Sequence, residues 1–202
     1  MLNSIRGRET RSQSTIVIII KTLLQTVIFW TIFLLVLPYL VQTAEMFLGY
    51  QVWPFDPQRS FWFGLGLFVV GGTLGITSGL VMALQGRGTP LPSDCARRLV
   101  IVGPYRHVRN PMAIAGLAQG VAVGIMMGSP AVIAVSLLGG PLWDGFVRPW
   151  EEADLERRFG EPYRDYRAQV GCWWPRLRGY RAAEAGPVRQ VEETVETPVG
   201  MS

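Results

Sequence analysis

The chain has 202 residues, of which 49% are hydrophobic, and its formal net charge is +4. Its apolar residues form long runs, and its charge lies between and after them. This pattern favours a polytopic membrane protein of one ordinary-sized domain and argues against a nucleic-acid-binding protein. Two cysteines and one histidine are too few for a usual zinc or di-iron site, so no metal is predicted.

The chain begins with a polar segment, residues 1–15, which is followed by an apolar run from Ile16 to Gln42. At about 20 residues per span, this run is long enough to cross a bilayer. A signal peptide is the competing interpretation. The run is longer than a typical signal-peptide core, however, and no small-residue cleavage site follows it. We therefore expect a retained helix, which opens a membrane domain of residues 16–176.

Three further apolar runs, residues 61–84, 112–128 and 131–147, predict three more transmembrane helices. Two of these runs carry glycine at every fourth position, at Gly71, Gly75 and Gly79 and at Gly116, Gly120, Gly124 and Gly128. Such stripes predict close packing of these helices within the chain or, as alternatives, a homodimer or room for a ligand. Asp144, near the end of the last run, is expected to face a polar interior or the membrane interface.

The 19 basic residues are distributed unequally around the four runs. Four lie at or before Lys21, five lie between residues 85 and 110, and nine follow residue 147, which leaves only Arg59 for the opposite side. Basic residues concentrate on the cytoplasmic side of a membrane. The pattern therefore predicts a multi-pass protein of the inner membrane, with both termini and the loop of residues 85–110 in the cytoplasm.

A second helical pattern follows the last apolar run. Its apolar stripe recurs at spacings of four, four, three and four residues and consists of Leu155, Phe159, Tyr163, Tyr166 and Val170. Gly160 and Pro162 predict a break into two short helices. The expected fold is all-α, with about four transmembrane helices and a cytoplasmic C-terminal helical hairpin.

The hairpin has two open placements. It suits the membrane interface, with Trp173 and Trp174 as anchors, and it equally suits a position folded back over the basic loop. Residues 177–202 show little periodicity and are predicted to form a disordered tail.

The basic loop, which ends at the third apolar run, is rich in hydrogen-bond donors. Asn110 and Pro111 predict the cap and the first residue of the helix that follows. The free N–H groups of this helix start, reinforced by Arg106 and Arg109, suit a carboxylate or a phosphate. In the alternative interpretation, the arginines only mark membrane topology and Asn110 is only a cap.

Glu151 and Glu152 follow the fourth apolar run at its predicted cytoplasmic end. Paired carboxylates suit a cation such as an ammonium group or, alternatively, ion pairs with the loop arginines. An arginine-rich loop that faces a glutamate pair is suited to a zwitterion, such as the amino-acid end of a cofactor.

Three stretches carry a family resemblance: GTPLP at residues 88–92, LVIVGPYRHVRNPM at residues 99–112 and EEADLERRFGEPYRDYR at residues 151–167. Together they resemble the isoprenylcysteine carboxyl methyltransferase and phospholipid methyltransferase superfamily, and more closely its small bacterial members. The resemblance covers roughly residues 62–176. It implies an integral-membrane methyltransferase that binds S-adenosylmethionine without a Rossmann domain. The sequence agrees, since no Gly-x-Gly-x-x-Gly motif follows a predicted strand.

The resemblance also implies which residues bind the cofactor: Tyr105, Arg106, His107, Arg109, Asn110, Pro111, Glu151 and Glu152. Two positions depart from the family pattern, because many members have histidine in place of Asn110 and tyrosine in place of Ala113. The implied chemistry is direct displacement of an activated methyl group. Alignment of the acceptor behind that methyl contributes much of the catalysis.

The methyl acceptor is expected to be a lipophilic small molecule that enters from the membrane lipids. A carboxylate acceptor needs no base, whereas an amine, an alcohol or a thiol must lose a proton. The candidate catalytic residues are His107, as a base, and Arg164 and Arg167, near the acceptor. The alternative functions are a nicotinamide-dependent membrane reductase of related fold and a membrane protein that has lost catalysis, to which Ala113 points.

Overall fold

The computed structural model describes residues 15–50, 53–86 and 98–181, and its regular elements are helical. The α-helices are α1 (Thr15–Thr31), α2 (Leu37–Phe47), α3 (Pro57–Gly86), α4 (Pro111–Met127), α5 (Pro130–Leu142), α6 (Arg148–Phe159) and α7 (Glu161–Gln169). A short 3-10 helix, Gly103–Arg106, precedes α4. The predicted all-α class is confirmed. Residues 1–14 of the predicted polar N-terminus lie outside the described residues, as do residues 87–97 of the basic loop.

Two of the long helices continue through a π-helical turn, and in both a proline follows two residues later. Ile32–Val36 joins α1 to α2 ahead of Pro38, and Trp143–Val147 joins α5 to α6 ahead of Pro149. Proline lacks an N–H, and its ring crowds the carbonyl four residues earlier, which in both helices lies inside the π turn. The wider turn relieves this conflict and lets the helix continue.

Three continuous helices are long and apolar enough to cross a membrane: Ile19–Phe47, Pro57–Gly86 and Pro130–Phe159. The remaining apolar helix, α4, has 17 residues. At 1.5 Å per residue it is about 25 Å long, close to the lower limit for a transmembrane helix. Three candidate spans are therefore shown, and the fourth stays a prediction.

The long helices and α4 run in alternating directions. Near the end of α3, a Cβ atom at Gly79 would lie 3.8 Å from Thr22 of α1 and 3.8 Å from Met112 of α4. At the opposite end, Glu45 of α2 contacts Ser129 between α4 and α5. The beginnings of α1 and α4 thus lie beside the end of α3 at one end of the bundle. The ends of α2 and α4 meet at the other end. α4 lies against both α3 and α5.

The glycine stripe of α3 packs within the chain. A Cβ atom at Gly71 would lie 2.9 Å from Cγ of Gln119 in α4, and one at Gly75 would lie 2.5 Å from the ring of Trp30 in α1. Neither position has room for a side chain. The predicted packing of α3 against α4 is confirmed, and α1 also contacts this stripe.

The glycine stripe of α4 faces a different helix. A Cβ atom at Gly120 would lie 2.6 Å from Oγ of Ser136, and one at Gly124 would lie 2.8 Å from the backbone nitrogen of Ile133, both in α5. At Gly116 nothing lies within 4 Å of the corresponding point. Gly120 and Gly124 therefore serve the α4–α5 contact, while α4 turns another face to α3.

A buried carboxylate fastens the end of α2 to the turn between α4 and α5. Ser129 Oγ donates a hydrogen bond to Glu45, and the Ala131 N–H donates to its other oxygen at 3.2 Å. Nearby, Gln42 Nε2 donates to the Met127 carbonyl at 3.0 Å. The carboxylate lies at the start of α5, where the helix dipole favours negative charge. The first span was predicted to end at Gln42, so sequence analysis missed this contact.

The C-terminal hairpin forms as predicted and folds back over the turn that precedes α4. Gly160, with φ 59°, ends α6. The predicted stripe is the buried face: Tyr163, Tyr166 and Val170 cluster with Tyr180, and Leu155 and Phe159 pack against them. The hairpin thus takes the second of its two predicted placements. Residues 177–181 of the predicted tail are described and include buried Tyr180, whereas residues 182–202 lie outside the described residues.

Candidate functional site

The helix start at α4 has the predicted cap. Asn110 Oδ1 accepts a hydrogen bond from the Ala113 N–H at 3.1 Å, and Pro111 occupies the first turn. Pro111 has no N–H, and the N–H of Ala113 is used by the cap. Two of the first three residues of α4 therefore offer no donor, so this helix start provides fewer free N–H groups for an anion than the sequence predicted.

Arg109 joins the turn before α4 to both helices of the hairpin. Its NH1 forms an ion pair with Oε1 of Glu152 in α6 and lies 3.5 Å from the Tyr163 hydroxyl in α7. Its Nε donates to the Val170 carbonyl at 2.8 Å, and its backbone N–H donates to the Gly171 carbonyl at 2.9 Å. The Arg109 and Glu152 side chains are only 13% and 12% exposed. Burial alone lowers the pKa of Arg109, but the adjacent Glu152 carboxylate raises it overall, so Arg109 is cationic.

The second oxygen of Glu152 faces another arginine. Arg167 Nε lies 3.3 Å from Glu152 Oε2, and Arg167 NH1 lies 3.3 Å from Glu156. Arg164 instead pairs with Glu156 and Glu161 on the exposed side of α7. Of the two candidate catalytic arginines, Arg167 therefore reaches the Arg109–Glu152 pair, and Arg164 lies away from it.

Glu151 is partly buried, and its carboxylate forms no hydrogen bond or ion pair within residues 15–50, 53–86 and 98–181. It lies near the buried phenol of Tyr105. Burial and, second, the negative charge of Glu151 raise the pKa of Tyr105 above its usual value. Tyr105 is therefore neutral at physiological pH. The two adjacent glutamates thus differ: Glu152 is held between two arginines, whereas Glu151 is left for another cation.

Arg106 and His107 face the segment Arg176–Tyr180, which we call the C-terminal segment. Arg106 Nε donates to the Tyr180 carbonyl at 3.0 Å, and His107 Nδ1 lies 2.9 Å from the Arg176 carbonyl oxygen. The backbones also pair, because the Tyr180 N–H donates to the Arg106 carbonyl at 2.8 Å. Tyr180 lies in the predicted tail of residues 177–202, and Arg176 is the last residue of the predicted membrane domain, so sequence analysis predicted neither contact.

Asp144 holds the chain that leads to this segment. Its Oδ1 accepts a hydrogen bond from Trp173 Nε1 at 2.8 Å and lies 3.0 Å from Arg148 Nε. The Trp173 ring packs edge-on against Trp143, with ring centroids 5.4 Å apart. The neighbouring Cys172 thiol is buried. Burial raises its pKa, and Arg109 lowers the pKa by less.

The structure thus groups the predicted residues into three sets. Tyr105, Arg109, Glu151 and Glu152 lie together, Arg106 and His107 lie against the C-terminal segment, and Asn110 and Pro111 build the helix cap. Sequence analysis missed the contacts of Arg176 and Tyr180 with the turn. They are formed by backbone atoms, which leave no periodic signal in the sequence.

The fold and this charged cluster define an α-helical membrane protein with arginine and glutamate side chains gathered at one end of the bundle. The family model described as phospholipid methyltransferase matches residues 59–162, just over half of the chain. The chain therefore belongs to the phospholipid methyltransferase family, a family of membrane methyltransferases that generally use S-adenosylmethionine. The match agrees with the resemblance found in the sequence. A search of curated proteins finds no match.

Proposed function

We propose that the chain transfers a methyl group from S-adenosylmethionine to a lipophilic or membrane-associated acceptor. The observation that carries this proposal is that Glu151 and Glu152, in a member of a methyltransferase family, differ in their partners. Glu152 holds Arg109, and Glu151 remains without a counter-charge among the described residues. A partly buried carboxylate of this kind is suited to a cationic ligand group.

The residues present fit such a ligand. S-adenosylmethionine carries a carboxylate, an ammonium and a sulfonium, so its site needs fixed charges of both signs. Glu151 is available for a cation. Within the described residues, only Nε of the Arg106 guanidinium is engaged, at Tyr180, which leaves its two terminal nitrogens for an anion. The proposed cofactor site comprises these residues with Tyr105, His107, Arg109, Asn110, Pro111 and Glu152.

When bound, S-adenosylmethionine supplies a methyl group that its sulfonium has already activated. The residues of the chain then have to bind the cofactor, orient the acceptor towards its methyl group and exclude water. Glu152 and the Val170 carbonyl fix Arg109, and the buried cluster under α7 holds the hairpin over the turn. His107 is assigned here to the cofactor rather than to the role of base, and Arg167 is the candidate arginine near the acceptor.

We place the site on the cytoplasmic face of the inner membrane. Support comes from the basic residues, of which 18 of 19 fall in the segments predicted on one side and only Arg59 on the other. Membrane lipids are the expected surroundings, and a lipophilic acceptor is expected to enter from them. Homodimerisation through Gly116, where a Cβ atom would meet nothing, is a lesser proposal.

Calorimetry on the purified protein in detergent tests the proposal, with S-adenosylmethionine and NADPH as separate ligands. We expect heat from the former only. Binding of NADPH instead would favour the reductase, and binding of neither would contradict both enzymes. Transfer of labelled methyl from S-adenosylmethionine into a lipid extract then narrows the acceptor, and cofactor binding without transfer to any fraction would favour a protein that has lost catalysis.

A further inference from the structure

The C-terminal segment holds two consecutive residues of the turn at two points each. The Arg176 N–H donates to the His107 carbonyl at 2.9 Å, and His107 Nδ1 lies 2.9 Å from the Arg176 carbonyl oxygen. The Tyr180 N–H donates to the Arg106 carbonyl at 2.8 Å, and Arg106 Nε donates to the Tyr180 carbonyl at 3.0 Å. Each turn residue is therefore fixed in both backbone and side chain.

The contact between His107 and Arg176 determines the tautomer of the ring. A carbonyl oxygen only accepts hydrogen bonds, so Nδ1 of His107 must carry a proton. In the neutral imidazole, Nε2 then has the lone pair and is a hydrogen-bond acceptor. By accepting a hydrogen bond from Nδ1, the segment leaves Nε2 as the acceptor. Backbone carbonyls fix the tautomer of metal-binding histidines in the same way.

Gly179 leaves room beside that second nitrogen. A Cβ atom at Gly179 would lie 3.3 Å from His107 Nε2 and 3.2 Å from Arg106 Nε, closer than ordinary van der Waals contact. A side chain at this position would cover Nε2. Glycine therefore lets the segment approach both side chains while leaving Nε2 without a side chain over it.

The ring of Tyr180 anchors the segment. It is 6% exposed and packs edge-on against Tyr166, with ring centroids 5.4 Å apart. Tyr166 in turn donates from its hydroxyl to the Tyr105 carbonyl at 2.6 Å. The hydroxyl of Tyr180 forms no hydrogen bond among the described residues, so the anchor is the ring itself.

We propose that the C-terminal segment is a positioning element of the candidate site. It fixes His107 with Nδ1 protonated and so leaves Nε2 as a hydrogen-bond acceptor for the bound cofactor. The segment lies outside residues 59–162, so the family match does not include it. The ligand-directed half of this inference rests on the proposed function, whereas the tautomer and its dependence on Tyr180 do not.

His107 is the only histidine of the chain, so labelling with ¹⁵N-histidine reports this ring without assignment, provided that the purification tag contains no histidine. In spectra of the neutral ring, recorded at alkaline pH, the two nitrogen shifts distinguish the tautomers. The wild type is expected to be predominantly the Nδ1–H form. Predominance of the Nε2–H form, which a free imidazole side chain favours, would overturn the inference.

Two variants test the anchor. Tyr180→Phe keeps the ring and is expected to keep the Nδ1–H form. Tyr180→Ala removes the ring and is expected to shift the population towards the Nε2–H form, with helical content unchanged in circular dichroism. An unchanged tautomer in Tyr180→Ala would show that the segment does not position His107.

The ligand-directed half is tested by adding S-adenosylmethionine to the labelled wild type at a concentration that calorimetry shows to be saturating. The Nε2 resonance is expected to move and the Nδ1 resonance to keep its protonated shift. Calorimetric binding with a stationary Nε2 resonance would overturn this half alone. Absence of calorimetric binding would overturn the proposed cofactor and this half together, and the apo tautomer would still be judged by the variants.

Discussion

The adjacent glutamates should respond to the same substitution in opposite ways. In Glu151→Gln, the change removes a carboxylate that has no partner among the described residues and lies beside the charge of Glu152. We expect thermal stability to be unchanged or higher, because a buried carboxyl group without a partner and its repulsive contact with Glu152 are lost. Cofactor affinity should fall, because a hydrogen bond to a charged group contributes about 1.5–3 kcal/mol. At about 1.4 kcal/mol per factor of ten, the loss is roughly 10- to 150-fold.

In Glu152→Gln, the change leaves Arg109 and Arg167 without their shared counter-ion. Breaking one side of a buried ion pair costs about 3–5 kcal/mol. Because the Arg109 and Glu152 side chains keep 13% and 12% exposure, we expect the lower end, about 3 kcal/mol. The midpoint of thermal unfolding in detergent should therefore fall by several degrees. Cofactor affinity should fall as well, because Glu152 and the Arg109 that it holds both belong to the proposed site.

The assay combines thermal unfolding with calorimetry of S-adenosylmethionine binding, on both variants and on Glu161→Gln. Glu161 is a matched control because it pairs with Arg164 on the exposed side of α7. The control should leave both measurements unchanged, since exposed ion pairs contribute little. Our reasoning is refuted if Glu151→Gln destabilises the protein as much as Glu152→Gln while leaving affinity intact.

Three further outcomes are expected. Gly124→Ala should destabilise the protein by about 1–3 kcal/mol, because the added Cβ would press on the Ile133 backbone. Gly116→Ala should not, because nothing lies within 4 Å of its added Cβ. Equal midpoints of thermal unfolding in the two variants would contradict this. Glu45→Ala should lower the unfolding midpoint more than Glu45→Gln, because only the former leaves Ser129 Oγ without an acceptor. In a Cys95→Ser background, Cys172 should react with maleimide slowly at neutral pH and faster as pH rises, since burial raises its thiol pKa; rapid labelling at neutral pH would show an open thiol.

Much of the fold follows from short-range signals in the sequence. Long apolar runs gave the helices of the bundle, and the stripe that includes Tyr163 and Val170 gave the buried face of the hairpin. The Asn110-Pro111 cap was also predicted, because its chemistry is local. The partners of the glycine stripes were harder to predict. A small residue at Gly120 shows that something approaches closely, but it does not say whether α3 or α5 does.

Two long-range contacts left no signal of this kind, one at the candidate site and one at the opposite end of the bundle. The C-terminal segment is held by backbone atoms of Arg176 and Tyr180 and by the buried Tyr180 ring, which form no periodic pattern, and its residues 177–180 fall in the predicted tail. Glu45 lies beyond the predicted end of its span and meets Ser129 from a distant part of the chain. In both cases the partner is distant in sequence, and a single sequence does not encode such a pairing in its local pattern.

The different partners of Glu151 and Glu152 depend on the π turn that precedes α6, which a regular helical period does not predict. Neighbouring residues of an α-helix point about 100° apart, so only one of the two can face Arg109. A π turn adds one residue to a helical turn and so displaces everything after it by one position in phase. A regular helix extended from α5 would therefore give Glu151 the direction that Glu152 has. The turn at Trp143–Val147 shifts these directions by one residue, so that Glu152 faces Arg109, and Pro149 follows two residues beyond the turn. The motif identifies two acids, and the π turn before Pro149 sets which of them is held by Arg109 and which remains for a ligand.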